Sequence, residues 1–215
     1  MSTGTDIEHP RFARMYLKAS GRMERRGVGE HRDKLLEGLS GRVLELGAGN
    51  GLNFAHYPEA VTEVIAIEPE PTLREAAEKA AKSAPVAVSV RAGTADALPV
   101  GDAEMDAVVA SLVLCSVPDQ ARALAELYRV VRPGGELRFY EHVIARSQPK
   151  RAMLQLLDRS GIWTKLAGGC HPARDTRAAI EAAGFTIDRC ERFGFKASAF
   201  EPTIPHILGR ARRAT

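Results

Sequence analysis

The chain has 215 residues, 45% of them apolar, a comfortable size for one domain with a full core. Lysine and arginine outnumber aspartate and glutamate by 30 to 27, and so small a surplus argues against a nucleic-acid partner. The three cysteines (Cys115, Cys170 and Cys190) are far apart and form no C-x-x-C pair, so neither a disulfide framework nor a metal site is predicted.

The first 40 residues predict a helical cap. Residues 1–10 are polar and predict a frayed arm, whereas residues 11–39 carry apolar side chains at helical spacing, with a break at residues 27–29. No apolar run typical of a signal peptide is present. The longest apolar run of the chain, residues 107–117, is shorter than the ~20 residues that cross a bilayer. We therefore expect a cytoplasmic protein without a transmembrane anchor.

Residues 41–142 alternate between short apolar strands and amphipathic helices. The predicted strands are residues 43–46, 63–68, 86–91, 106–111 and 136–140, and the predicted helices are residues 71–82 and 119–131. This alternation indicates a parallel sheet with helices on both faces and right-handed crossovers. The strand D-A-V-V-A-S at residues 106–111 is apolar throughout, which is typical of a central strand.

The C-terminal third departs from that rhythm. Residues 147–169 predict a helical insertion, which holds the only tryptophan, Trp163, beside several leucines and a methionine. These apolar residues either wall a pocket or pack among themselves. A helix at residues 173–183 and extended segments at 185–192 and 204–209 complete a C-terminal region spanning 173–212. No linker composition is visible, so residues 1–215 are predicted to form a single domain.

A glycine cluster, E-L-G-A-G-N-G at residues 45–51, follows the first strand directly. Glycines let a backbone turn sharply and bring its N–H groups close to a ligand. The dinucleotide pattern G-x-G-x-x-G fails at its sixth place, Leu52, and no G-K-[ST] of a phosphate loop occurs. The loop therefore favours a ligand with a ribose and a charged amino-acid tail but no phosphate, unless its glycines serve only as turn residues.

Acidic residues follow the next two strands in the same way. Glu68 ends the second strand, where its carboxylate can accept bonds from both ribose hydroxyls. Asp96 follows the third strand in G-T-A-D-A-L-P, where it can accept a bond from an adenine amine or cap a helix. Glu45 either contacts an amino group of the ligand or orients the loop.

Taken in order, residues 44–51, Glu68, A-D-A-L-P, D-A-V-V-A-S-L-V-L and R-V-V-R-P-G-G-E-L resemble the motif set of class I S-adenosylmethionine-dependent methyltransferases, over about residues 12–142. The resemblance implies a Rossmann-like α/β fold with a seven-stranded, mostly parallel sheet and helices on both faces. It implies S-adenosylmethionine as cofactor and S-adenosylhomocysteine as product. The cofactor-binding residues that it implies are Tyr16, Gly47, Ala48, Gly49, Asn50, Gly51, Asn53, Glu68, Pro69, Thr94, Ala95, Asp96, Ser111 and Leu112.

Segments outside that core carry a second resemblance. L-V-L-C-S-V, E-H-V, G-G-C-H-P-A-R-D-T and P-H-I-L-G are similar to the methyltransferase-like alkyl-thiol methyltransferases and their bacterial relatives. The human members of that group carry an N-terminal hydrophobic anchor, which is not found in this sequence. The resemblance implies in-line methyl transfer to a small apolar acceptor, possibly a thiol.

Several assignments stay open. O- or C-methylation of a quinone-like or polyketide-like product and a non-catalytic cofactor-binding partner subunit are the other hypotheses, while the wide spacing of the cysteines disfavours arsenite methylation. An alcohol or phenol acceptor would need a base, for which His142 and His171 are the candidate catalytic residues. Tyr16 either closes over the cofactor's carboxylate or packs in the core, and Cys115 is either a buried small hydrophobe or touches substrate. Roles for Cys170 and His206, and the oligomeric state, are not predicted.

Overall fold

A computed structural model describes residues 10–196 and 203–215, so the predicted arm lies outside the described residues except for Pro10. One seven-stranded sheet with the order β3-β2-β1-β4-β5-β7-β6 organises the chain. Its strands are β1 (Gly41–Leu46), β2 (Val61–Ile67), β3 (Val88–Arg91), β4 (Met105–Ser111), β5 (Val131–His142), β6 (Phe185–Phe195) and β7 (Ile204–Arg213). Neighbouring strands are parallel from β3 to β5, and β7 runs antiparallel to both β5 and β6. The predicted Rossmann-like α/β fold with a mostly parallel sheet is confirmed.

Helices cover both faces of the sheet. They are α1 (Pro10–Met23), α2 (Gly29–Leu36), α3 (Pro71–Ala81), α4 (Gln120–Val130), α5 (Gln148–Ser160), α6 (Ile162–Leu166) and α7 (Thr176–Ala182). Residues 24–28 join α1 to α2 as a kinked π-helical turn, with Gly27 at φ 110°. The break therefore falls where the glycines predicted it. No helix among the described residues is long and apolar enough to cross a membrane.

Apolar side chains form two buried clusters, one on each face of the sheet. Leu44, Ile65 and Val108 belong to one cluster, whereas Val43, Val64 and Val109 belong to the other. Adjacent residues of one strand point to opposite faces, so β1, β2 and β4 are buried on both sides. Their carboxyl ends meet at one edge of the sheet, and this edge carries the predicted cofactor residues.

Strand β5 differs most from the sequence prediction, because it begins at Val131 rather than at residue 136. Residues 133–135, expected to separate helix from strand, lie inside it, and the β4–β5 register shifts between Met105 and Ala107 to accommodate them. The insertion is divided at Gly161 into α5 and α6. Met153 and Leu156 of α5 are 56% and 72% exposed, so these two side chains do not pack in a core.

Candidate functional site

The glycine loop turns away from the end of β1 over the end of β2. The N–H groups of Gly47 and Ala48 donate to the Ile67 carbonyl at 2.8 and 3.1 Å. Gly47 has φ 66°, and a Cβ placed there would lie 2.4 Å from Cγ2 of Val113. A side chain at residue 47 would therefore collide with the segment after β4, so the loop depends on glycine here.

Glu68 lies against this loop, as the sequence predicted. Its Oε2 accepts a bond from the Gly49 N–H at 2.7 Å, and its Oε1 accepts one from the Glu70 N–H at 3.0 Å. Burial raises the pKa of Glu68 to about 7, against the opposing effect of these two bonds. Pro69 follows, and its carbonyl accepts a bond from Nη1 of Arg74 at 2.9 Å. The carboxylate is thus placed at the loop and poised to titrate near neutrality.

A buried polar network supports the loop from below. Glu45 accepts bonds from Nδ2 of Asn53 at 2.7 Å and from the Tyr57 hydroxyl at 2.8 Å. The Asn53 carbonyl in turn accepts a bond from Nη1 of Arg32. Burial raises the pKa of Glu45 to about 7. Both Glu45 oxygens are thus engaged by the protein, which favours an orienting role for Glu45, and the Asn53 amide is committed to the same network.

Arg32 lines a crevice beside this network and is a candidate site residue that the sequence did not predict. Its Nε donates to Oε2 of Glu24 at 3.0 Å, and its guanidinium lies in this crevice beside Tyr16. The signal was present in the sequence, because Arg32 precedes Leu35, Leu36 and Leu39 at helical spacing and so lies on the buried face of α2. A charged residue on an apolar helix face needs a partner.

Tyr16 on α1 covers the glycine loop. A Cβ built at Gly49 would lie 3.6 Å from Cε1 of the Tyr16 ring, and Nδ2 of Asn50 donates to Oγ of Ser20 at 3.1 Å. The remaining cavity measures about 20 Å³ and is lined by Tyr16, Arg32, Glu45, Gly47, Ala48, Asn50, Leu52, Asn53 and Ser111. Such a volume holds about one water molecule, so the residues around it have to rearrange to admit a larger ligand.

The segment after β3 carries Asp96, for which the sequence predicts a bond to the adenine amine. Thr94 and Ala97 pair as an isolated bridge around Ala95 and Asp96. A hydrogen bond from the Thr94 side chain lowers the pKa of Asp96, which keeps the carboxylate ionised. Residues 92–104 contain no helix, so the alternative role of Asp96 as a helix cap is ruled out.

The ends of β4 and β5 form the other half of the site. Ser111 ends β4, and its buried Oγ has no hydrogen-bond partner among the described residues. Leu112 follows at φ 57°, a conformation that costs an L-residue energy, and its N–H donates to the Tyr140 carbonyl. The buried Glu141 accepts bonds from the N–H groups of Val113, Leu114 and Cys115 at 3.0, 2.9 and 3.1 Å. Glu141 therefore fixes the backbone of the segment that follows β4.

His142 lies between two cysteines that are distant in the chain. Its Nδ1 is 3.5 Å from Sγ of Cys115 and 3.5 Å from Sγ of Cys170. Cys115 is therefore more than a small apolar side chain. The wide spacing of the cysteines along the chain argued against a metal site and against arsenite methylation. That spacing is wrong as a guide to their distance in space, because Cys115 and Cys170 both contact His142.

The two other histidines that the sequence singled out border that cluster, since the His206 and His142 ring centroids are 4.5 Å apart and the His171 N–H donates to the Cys115 carbonyl. The His171 ring pairs with Asp158, with 2.9 Å between Nδ1 and Oδ1. His206 is buried with its ring stacked on Tyr140 and Phe193, and burial lowers its pKa to about 3. His206 is therefore a neutral packing residue at physiological pH, whereas His171 keeps a carboxylate partner.

Known proteins resemble this chain along most of its length. A methyltransferase domain family matches residues 44–139. The thiol S-methyltransferase TMT1B of mouse is 37% identical over 185 residues, which cover 83% of this chain and 74% of that protein. The human thiol S-methyltransferase TMT1A is 37% identical over 180 residues, which cover 81% and 72%. This chain belongs to the same methyltransferase family.

The fold comparison agrees with this assignment. The crystal structure of an S-adenosylmethionine-dependent methyltransferase from Methanosarcina mazei matches 80% of the chain and 92% of its own length, with a TM-score of 0.62 and 21% identity. The protein is thus an S-adenosylmethionine-dependent methyltransferase with the predicted class I fold.

The residues at the sheet edge fit this cofactor chemically. The carboxylate of Glu68 suits paired hydroxyls, the ionised Asp96 suits an amine, and the Arg32 guanidinium suits a carboxylate. The unpartnered Ser111 hydroxyl offers one further polar contact in the crevice. Together these side chains match the hydroxyls, the amine and the carboxylate of an adenosyl amino acid.

Proposed function

We propose that this methyltransferase transfers the methyl group to the thiol of a small, apolar acceptor. The observation that carries the proposal is the 37% identity to thiol S-methyltransferases over more than four fifths of the chain. That similarity reaches well beyond residues 44–139, which the general methyltransferase model matches. Regions outside a shared cofactor core are where acceptor choice differs between enzymes.

The cofactor residues have the following proposed roles. Glu68 accepts bonds from the ribose hydroxyls, and Asp96 accepts one from the adenine amine, with Thr94, Ala95 and Pro69 shaping that end of the cleft. The loop from Gly47 to Gly51 approaches the ligand with its backbone. Arg32 and Tyr16 receive the carboxylate of the amino-acid part, and Ser111 and Leu112 present polar and backbone groups beside it.

When bound, S-adenosylmethionine supplies a methyl group activated by a positively charged sulfur. The chain then has to hold an acceptor near that group and exclude water. Phe12 of α1 lies against the end of the insertion, since a Cβ built at Gly168 would be 2.6 Å from its ring. We infer that α1 and residues 147–169 together roof the acceptor site.

A thiol acceptor needs little help from a base. Its pKa of about 8.5 leaves a few per cent of thiolate at neutral pH, and thiolates are strong nucleophiles. His142 is half-buried at the end of β5 on the acceptor side and is our first candidate for receiving the proton. His171, paired with Asp158, is the second.

Turnover of matched acceptors tests the proposal. We expect release of S-adenosylhomocysteine with alkyl and aryl thiols and at least tenfold less with the corresponding alcohols and phenols. His142→Ala should slow release while leaving the S-adenosylhomocysteine affinity measured by calorimetry unchanged, whereas Glu68→Ala should lose most of that affinity. Preference for phenols would favour the O-methyltransferase hypothesis. Cofactor binding without turnover on any acceptor would favour a non-catalytic partner subunit.

A further inference from the structure

Three soft donor atoms converge behind the proposed acceptor site. The Sγ atoms of Cys115 and Cys170 and one ring nitrogen of His142 lie within 4.8 Å of one another. Both cysteines are buried, with exposed fractions of 1% and 5%, while His142 is partly exposed and so offers a route of access. Among the described residues no other group of three His, Cys, Asp or Glu side chains converges in this way.

The spacing of these atoms fits a tetrahedral cation. Zinc binds thiolate sulfur at about 2.3 Å and imidazole nitrogen at about 2.0–2.1 Å, so two such ligands at the tetrahedral angle are about 3.6 Å apart. Each sulfur here is 3.5 Å from Nδ1 of His142. The three side chains need no large movement to bind one ion.

The fold holds the three ligands rigidly. Glu141 fixes the backbone of residues 113–115 through three hydrogen bonds, and the His171 N–H donates to the Cys115 carbonyl at 2.8 Å. Gly169 has φ 87°, and a Cβ there would lie 2.9 Å from the Ser116 carbonyl oxygen. Only glycine therefore lets the Cys170 segment approach the Cys115 segment this closely.

We propose that Cys115, His142 and Cys170 form a binding site for a zinc ion, with the fourth coordination position open. A Cys₂His set with one open position is a ligand pattern of catalytic rather than structural zinc. The fourth position accepts water or an exogenous soft ligand. A thiol there would displace that water, lose its proton to solvent because a zinc-bound His142 no longer acts as a base, and bind as thiolate through a sulfur–zinc bond; this last step rests on the proposed function.

Cobalt titration of the reduced, metal-free full chain tests the site without measuring activity. We expect one equivalent of Co²⁺ to bind, with the visible bands of tetrahedral cobalt and near-ultraviolet thiolate-to-cobalt charge transfer, and one equivalent of Zn²⁺ to displace it. Cys115→Ser, Cys170→Ser and His142→Ala should each weaken Zn²⁺ binding at least 30-fold. Cys190→Ser is the matched control, since Cys190 lies on β6 outside the cluster, and it should bind like wild type.

Gly169→Ala supplies a second test, because it displaces the Cys170 segment without removing a ligand. It should weaken Zn²⁺ binding while leaving S-adenosylhomocysteine affinity intact, and that affinity also reports correct folding of every variant. Absence of stoichiometric binding by wild type, or equal loss in Cys190→Ser and Cys115→Ser, would overturn the proposal and leave a hydrogen-bonded thiol–imidazole cluster only.

The fourth ligand is tested separately by adding an alkyl thiol to the cobalt form. Three thiolates instead of two should raise the charge-transfer absorption by about half. An unchanged spectrum would remove the acceptor from the coordination sphere while leaving the three-residue site in place. Thiol turnover without metal binding would overturn the zinc site but not the proposed function.

Discussion

Arg32 is a buried cation whose partners do not exhaust its hydrogen-bonding capacity. It donates through Nε to Glu24 and through Nη1 to Asn53, but a guanidinium has five N–H donors. Its guanidinium also interacts with the Tyr16 hydroxyl, and both side chains line the crevice. A ligand carboxylate is the group that a planar guanidinium recognises best, so we expect Arg32 to bind the carboxylate of the cofactor.

Replacing Arg32 tests which end of the cofactor this side chain binds. We predict that Arg32→Met weakens S-adenosylhomocysteine binding by about 30-fold, roughly 2 kcal/mol. Binding of 5′-methylthioadenosine, which lacks the amino-acid carboxylate, should change less than threefold. Calorimetry with both ligands checks this, and thermal melting shows whether the variant still folds. Equal losses of affinity for the two ligands would indicate that Arg32 supports the glycine loop and does not bind the carboxylate.

At the scale of elements, α1 behaves as a cover over the glycine loop. It is held by the Asn50–Ser20 hydrogen bond and by the Tyr16 ring, and the kink at Gly27 separates it from α2. The cavity beneath is too small for a nucleoside. We therefore expect ligand association to include an outward movement of α1.

Weakening the contact between α1 and the glycine loop should speed ligand association. We predict that Ser20→Ala increases the association rate of S-adenosylhomocysteine severalfold, because removing the hydroxyl breaks the bond to Asn50 without changing the cleft. Stopped-flow binding measures the rate, and Lys18→Ala on the exposed side of α1 is the control. An unchanged or slower rate would show that α1 does not limit access.

For the whole molecule, two buried carboxyl groups couple stability to pH. Burial raises the pKa of Glu45 and of Glu68 from 4.5 to about 7. The folded protein thus holds protons that the unfolded chain has already released between pH 4.5 and 7. Their stabilising contribution is complete below pH 4.5 and disappears as pH rises through 7, so it falls with increasing pH.

Glu45→Gln should remove one of these contributions. Its amide is neutral at all pH values and still meets Asn53 and Tyr57. We predict that the free energy of unfolding of the variant, relative to wild type, rises by roughly 2 kcal/mol between pH 5 and pH 8 without ligand. Urea unfolding at both pH values measures it. If the difference in unfolding free energy between variant and wild type did not change with pH, Glu45 would have the same pKa in the folded and unfolded states.

The sequence predicted the cofactor half of the molecule better than the acceptor half. Gly47, Glu68 and Asp96 each follow a strand, and parallel strands place their carboxyl ends at one edge, so local order along the chain predicts their proximity. Cys115 lies in the turn after β4, and Cys170 lies in the loop after the insertion. No periodicity relates such segments, and only the packed backbone at Gly169 shows that they meet.

Strand β7 lies between β5 and β6, although both of these precede it in the chain. During synthesis, one edge of β5 and the whole of β6 have no strand to pair with until residues 204–213 leave the ribosome. Until then the nascent polypeptide displays unpaired strand edges, which are templates for aggregation. The sheet can close only as a late event, and its productive yield in cells should depend on chaperones that shield those edges.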